Sequence, residues 1–221
     1  MSTTSYTDDD VSALAARFEG ADAETIVSWA ADTFGAGLCA ASSMADTALV
    51  DLVARIAPST EVVFLDTQYH FAETLATLDA VRARYPIPVR VMTPSVEPDE
   101  RWRHDTDGCC HVRKVEPLER ALAGRTAWLT GVRRADSNVR ADIPVVQRDR
   151  RGLVKVNPLA TWSDAQLDAY FAAHQVPTHP LLAQGYPSIG CWPCTRKPEA
   201  GESARAGRWA GQDKTECGLH L

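Results

Sequence analysis

A chain of 221 residues with 45% hydrophobic residues can bury the core of one large α/β domain and needs no disulfides to fold. Its formal charge of −6 disfavours a nucleic-acid partner. The polar, acidic opening MSTTSYTDDD lacks the basic and apolar segments of a signal peptide, and no stretch approaches the roughly 18 apolar residues of a membrane helix. The expectation is a cytoplasmic protein without membrane or nucleic-acid contacts, whose thiols are reduced, metal-bound or catalytic.

In chain order, GLCAA (37–41) is a short apolar run, and Ala45 to Ile56 carries apolar residues at helical spacing. EVVFLDT (61–67) reads as a buried strand, Phe71, Leu75, Leu78 and Val81 mark a helix, and PVRVM (88–92) is a third strand. The polar stretch 94–108 reads as a loop or lid, Val112 to Ala123 as a helix, and AWLTG (127–131) and LVKVNPL (153–159) as strands. Ser163 and Gln166 form a capping box for a helix holding Leu167, Tyr170 and Phe171. Strands alternating with helices predict an α/β fold, a parallel sheet covered on both faces. From about Thr178 the pattern stops. The expected organisation is an α/β nucleotide-binding domain over 1–177 and an irregular C-terminal segment, 178–221, ending in a mobile tail.

The six cysteines sort by context. Cys39 lies within a strand and reads as a small hydrophobe. Cys191-Trp-Pro-Cys194 offers two thiolates from one turn to a metal centre. Cys109 and Cys110 are adjacent, and successive side chains diverge in regular structure, so both reach a single zinc ion only under strain. Neighbouring thiolates can instead bind different irons, and four satisfy a [4Fe–4S] cluster. Zinc-bound or unligated thiols are the alternatives. Cys217 is left over, four residues from the end, with Lys214, Arg205, Arg208 and His220 near it in sequence. Nearby cations favour a nucleophilic thiolate.

Gly35-Ala36-Gly37-Leu38-Cys39-Ala40 matches a relaxed dinucleotide fingerprint, but its glycines precede the strand instead of following it. The better anion site is Ser42-Ser43, after the first strand and at the start of a helix. Asp66 and Thr67 end the second strand, where polar side chains in parallel sheets read a base or ribose. TGVRRADSNVR (130–140) ends a later strand with Gly131, Arg133, Arg134 and Arg140, a set suited to phosphate or sulfate.

The segments SSMADTALV, LDTQYHFAET, CCHVRKVEPLERAL, TGVRRADS, GCWPCTRK, GRWAG and KTECGLH resemble the assimilatory, cluster-containing adenylyl-sulfate reductase family from about residue 42 to the end. The resemblance implies an adenine-nucleotide α-hydrolase-like sheet. It implies that Cys217 attacks adenosine 5′-phosphosulfate, forming S-sulfocysteine and AMP, and that thioredoxin or a similar dithiol releases sulfite. It makes Cys109, Cys110, Cys191 and Cys194 ligands of a [4Fe–4S] cluster. Lys114 then lies near cluster and substrate, and Arg205 and Arg208 hold the phosphosulfate. With His220, these cations would offset the repulsion between thiolate and sulfonyl group. Ser42 to Thr47 lacks both glycines of the related ATP-cleaving motif, Gln68 stands where glycine is common, and Ala72 where proline is frequent. The rival readings are a 3′-phosphoadenylyl-sulfate or dual-specificity reductase, an ATP-using thiolation enzyme, and a zinc-stapled nucleic-acid module. The sequence leaves the oligomeric state open, a homo-oligomer included.

Overall fold

The computed structural model of the protein describes residues 6–219. Six strands form one sheet: β1 (Leu38–Ser42), β2 (Glu61–Leu65), β3 (Val89–Met92), β4 (Ala127–Thr130), β5 (Val146–Arg148) and β6 (Val154–Val156). Their order is β3-β2-β1-β4-β6-β5. All neighbours are parallel except β5, which runs antiparallel to β6 at the edge. β5 escaped the sequence reading because three residues hold no measurable period.

Side chains alternate across the sheet and serve two different layers. Leu38, Ala40, Val62, Phe64, Ala127, Leu129, Val154 and Val156 enter the larger core. That face is covered by α1 (Asp8–Phe18), α2 (Ala23–Phe34), α3 (Ala48–Ile56), α4 (Ala72–Arg84) and α7 (Asp164–His174). Cys39, Val63 and Trp128 point the other way, against Leu118, Ala121 and Leu122. Partly buried hydrophobic residues packed against this cluster include Met92, Leu153 and Leu219 of the C-terminal tail. Leu219 thus packs on this second face of the sheet.

Helices α1 and α2 were not anticipated. The acidic run that reads as a polar opening is the first turn of α1. Thr7 caps it, accepting from the Asp10 amide while Asp10 accepts from the Thr7 amide, and the acids complement the helix dipole. The capping box at Ser163 and Gln166 opens α7 as expected. The expected helix from Val112 begins earlier. α5 (Thr106–Cys110), a π-helical turn (His111–Val115) and α6 (Glu116–Leu122) run on as one rod, so both adjacent cysteines lie inside it. Beyond α7 the backbone is irregular, as expected, apart from α8 (Pro180–Ala183), a 3-10 turn at Trp192–Cys194 and one bridge between Thr195 and Arg208.

No helix among the described residues is long and apolar enough to cross a membrane.

Candidate active site

The strand order reverses beside β1: β2 and β3 lie on one side, β4 on the other. The loops after β1 and β4 therefore part, leaving a crevice at the carboxyl ends of the strands. Ser42 is the last residue of β1 and its hydroxyl accepts from the Met44 amide at 3.2 Å, while Ser43 is exposed. Asp46 closes this turn, accepting from the Ala48 amide at 2.8 Å at the start of α3. Burial pushes the Asp46 carboxyl up to about 6, against the pull of Arg133. Across the crevice, Gly131 follows β4. Arg133 is buried and already paired, with Asp136 at 3.0 Å and Asp164 at 2.9 Å.

After β2, Asp66 accepts from the Gln68 amide at 2.9 Å. Gln68 takes φ 67°, left-handed backbone that costs a non-glycine residue roughly 1 kcal/mol. Here the side chain accepts from Arg113, which is 1% exposed, donates also to Glu97 O at 2.8 Å, pairs with Asp99 at 3.1 Å and stacks on Tyr69. Thr67 is buried and shares a hydrogen bond with Cys191 Sγ at 3.2 Å. The Trp192 amide donates to Tyr69 O at 2.8 Å, so the C-x-x-C turn is docked on the loop after β2.

Cys109, Cys110, Cys191 and Cys194 line one cavity, with Tyr69, Trp102, Arg113 and Lys114. Within the rod, Cys109 and Arg113, and Cys110 and Lys114, stand four residues apart and share a face. Burial pushes the thiols of Cys109 and Cys110 up, and that of Cys194 up to about 11. Charge on other cavity cysteines raises Cys109 and Cys194 further, and charge on Cys217 and then Cys191 raises Cys110 against the pull of Lys114. Among the described residues no three Cys, His, Asp or Glu side chains converge as ligands of a single ion. Cys39, by contrast, is sealed in the strand, and burial pushes it up to about 11.

The tail reaches this cavity. Arg196 N donates to Gly207 O at 2.9 Å and Trp209 N to Cys194 O at 3.0 Å, a short antiparallel contact that brings Arg205, Arg208 and Trp209 back to the C-x-x-C turn. Gly207 is required by closeness: a Cβ there would fall 2.0 Å from Arg196 O. Arg208 donates to Ser188 Oγ and Ile189 O, both at 3.3 Å, and lies over the Trp209 ring. Cys217 is half-buried. Burial works against charge on Lys114, but Cys191, Cys217 and Cys110 outweigh it and hold the ammonium protonated. One lysine thus feels two cavity cysteines and the tail cysteine together.

Most residues expected at the site therefore converge on two adjoining places, the crevice between β1 and β4 and the cysteine cavity. Arg133 is turned toward carboxylates, and His220 lies outside the described residues. Sequence reading missed Arg113, Tyr69, Trp209 and Glu216. Arg113 and Glu216 stand beside cysteines in the sequence, the one signal that could have marked them; Tyr69 and Trp209 carry no such signal.

A profile of the phosphoadenosine phosphosulfate reductase domain matches residues 38–197. An adenosine 5′-phosphosulfate reductase of Streptomyces coelicolor is 49% identical, over 97% of this chain and 96% of the relative. One from Mycolicibacterium smegmatis is 46% identical, over 94% and 92%. The crystal structure of a phosphoadenylyl-sulfate reductase from Candida auris superposes with a TM-score of 0.78 at 28% identity, covering 88% of this chain and all of that one. FMN adenylyltransferase from Candida glabrata shares the fold alone, with a TM-score of 0.58 at 12% identity, over 90% of this chain and 72% of that one.

Proposed function

The chain belongs to the phosphoadenosine phosphosulfate reductase family, and we propose that within it this protein is a thioredoxin-dependent adenylyl-sulfate reductase of assimilatory sulfate reduction. It takes adenosine 5′-phosphosulfate to AMP and sulfite in a reducing, cytoplasmic setting. The observation that carries this reading is that Cys109, Cys110, Cys191, Cys194 and Lys114 line one cavity, while the segment leading to Cys217 folds back on the C-x-x-C turn through Trp209 N and Cys194 O. The names of relatives at 49% and 46% identity point to the same substrate.

The Cys217 thiolate attacks the sulfonyl sulfur. An S–S bond forms as the bridging S–O bond breaks, and AMP leaves with the bonding pair. AMP is a good leaving group, so no strong general acid is needed. The barrier is the approach of two anions, which Lys114, Arg205, Arg208 and His220 lower by placing positive charge around the developing transition state. A thiolate of the dithiol then attacks Cys217 Sγ and displaces sulfite. Its second thiol resolves the mixed disulfide, freeing Cys217 and leaving the dithiol oxidised.

Ser42, Ser43, Asp66, Thr67, Gly131 and Arg133 form the nucleotide side of the crevice in this reading. Cys109, Cys110, Cys191 and Cys194 would hold a [4Fe–4S] cluster. Four thiols ringing one cavity, with two adjacent in a helix, suit several irons better than one tetrahedral zinc. Bound there, a cluster would supply a covalent tie between the rod and the C-terminal segment and a fixed charge beside Lys114. Residues 1–177 then act as the nucleotide-binding domain and 178–221 as the segment that delivers the nucleophile.

The test is mass spectrometry after mixing the purified protein with adenosine 5′-phosphosulfate and no reductant. The C-terminal peptide should gain SO₃ on Cys217, and Cys217→Ser should bind nucleotide yet yield no sulfite. Sulfite production by that variant, or an adduct on another residue, defeats the assignment.

A further inference from the structure

Glu216 immediately precedes Cys217, and its side chain is only 7% exposed. Both carboxylate oxygens are taken by one guanidinium: Arg140 Nε donates to Oε1 and Nη2 to Oε2, each at 2.8 Å. Arg140 is itself held on its far side by Asp136 at 3.0 Å. Arg205 Nη2 donates to Thr215 O at 2.8 Å and lies 3.5 Å from Glu216 Oε1. Exposed ion pairs contribute little. This one is two-pronged, largely dehydrated and part of a network, the arrangement in which a charge pair fixes geometry. It joins the loop after β4 to the tail across 76 residues of sequence.

Cα atoms of neighbouring residues are about 3.8 Å apart across a rigid peptide plane. A Glu216 carboxylate pinned at both oxygens therefore leaves the Cys217 sulfur a narrow range of positions. We propose that the Arg140–Glu216 pair is the positioning clasp of the catalytic tail. Closed, it aims Cys217 at the edge of the cysteine cavity for attack on the sulfonyl sulfur; open, it releases the sulfated cysteine to the dithiol. Neither residue reacts, and the inference rests on the reading of Cys217 as nucleophile. The clasp predicts an asymmetry that a merely stabilising ion pair would not show. Breaking it slows the first half-reaction and spares or quickens the second.

The experiment follows the two half-reactions separately in the full-length protein with its metal content intact. Adduct formation on Cys217 is timed in single turnover. A fully pre-formed adduct is then mixed with thioredoxin and its loss is timed. Glu216→Gln keeps the shape and loses the charge. It should slow adduct formation at least about tenfold, the scale of a small misplacement of reacting groups. Adduct loss should be as fast as in the parent or faster, and limited proteolysis should cut the tail sooner. Arg140→Lys, which keeps the charge but not the fork, should fall between Glu216→Gln and the parent. Combining Glu216→Gln with Arg140→Gln should cost no more than one alone, because both remove one interaction. The clasp is overturned if Glu216→Gln forms adduct within about twofold of the parent, if both half-reactions slow by one factor, or if the two substitutions add. A parent that forms no adduct on Cys217 removes the nucleophile reading, and the clasp as a positioning device falls with it. Adduct formation in the parent with no effect in the variants removes the clasp alone.

Discussion

Asp46 shows how one side chain at the crevice trades stability for position. Its carboxyl titrates near 6 in the fold because burial penalises the charge, against an ordinary value of 3.8. The folded state therefore binds the proton more tightly than the unfolded chain. Stability falls as pH rises from about 4 to about 6 and stays flat above. Asp46→Asn keeps an oxygen for the Ala48 amide and removes the buried charge. It should gain on the order of 1–2 kcal/mol at pH 7.5 and close to nothing near pH 4. Urea titrations at the two pH values check this, and an equal gain at both would refute it. The cysteines make a parallel contrast. Cys39 and Cys217 are chemically alike, yet one is sealed between strands and the other half-open beside Lys114.

At the scale of elements, the helices behind the sheet are tied by a buried carboxylate. Asp51 on α3 accepts from Tyr85 OH at 2.8 Å, from Tyr170 OH of α7 at 2.5 Å and from Arg55 Nε at 3.0 Å. Tyr85 follows α4 directly, so one side chain joins three helices of the larger core. Asp51→Asn offers one acceptor where two hydroxyls and a guanidinium converge, and should cost about 2 kcal/mol. The hydrogen bonds of Asp51 run to Tyr85, Tyr170 and Arg55 and not to the residues assigned to the site, so kcat should hold while the urea midpoint drops. A fall in kcat without loss of stability would contradict this division of labour. The rod from Thr106 to Leu122 works differently. Its π-helical turn lies between the paired cysteines and α6, a local irregularity often found at functional sites.

For the whole molecule, the decisive feature is the sheet order, which brings the loops after β1, β2 and β4 together at one edge. Leu219, at the far end of the C-terminal segment, packs on the smaller cluster at the sheet's second face. The loop after β1 lacks the glycines that allow close backbone approach to a pyrophosphate, in keeping with a substrate bearing one phosphate and one sulfate. The family profile and the Candida auris structure bear the name of the 3′-phosphorylated nucleotide, the bacterial relatives that of the unphosphorylated one. Higher kcat/KM for adenosine 5′-phosphosulfate is expected from the proposed function. Equal or reversed values would reassign the substrate.

Much of this was legible in the chain itself. The short, largely apolar runs at 37–41, 61–67, 88–92, 127–131 and 153–159 marked all five parallel strands, because burial on both faces demands apolar sequence. The spacing of the cysteine pairs pointed to one place in the fold, and the four cysteines do line one cavity. Other features had no local signal. β5 is too short for a period, and α1 begins in an acidic run whose role as a capped first turn appears only with the backbone. Nothing in the order of residues says that Arg140 meets Glu216, or that Arg113 is buried under Gln68 and Tyr69. Those pairings join positions tens of residues apart, and only chain packing brings such charges into contact. Sequence determined which chemistry the chain could perform; the tertiary fold decided which side chains would hold it in place.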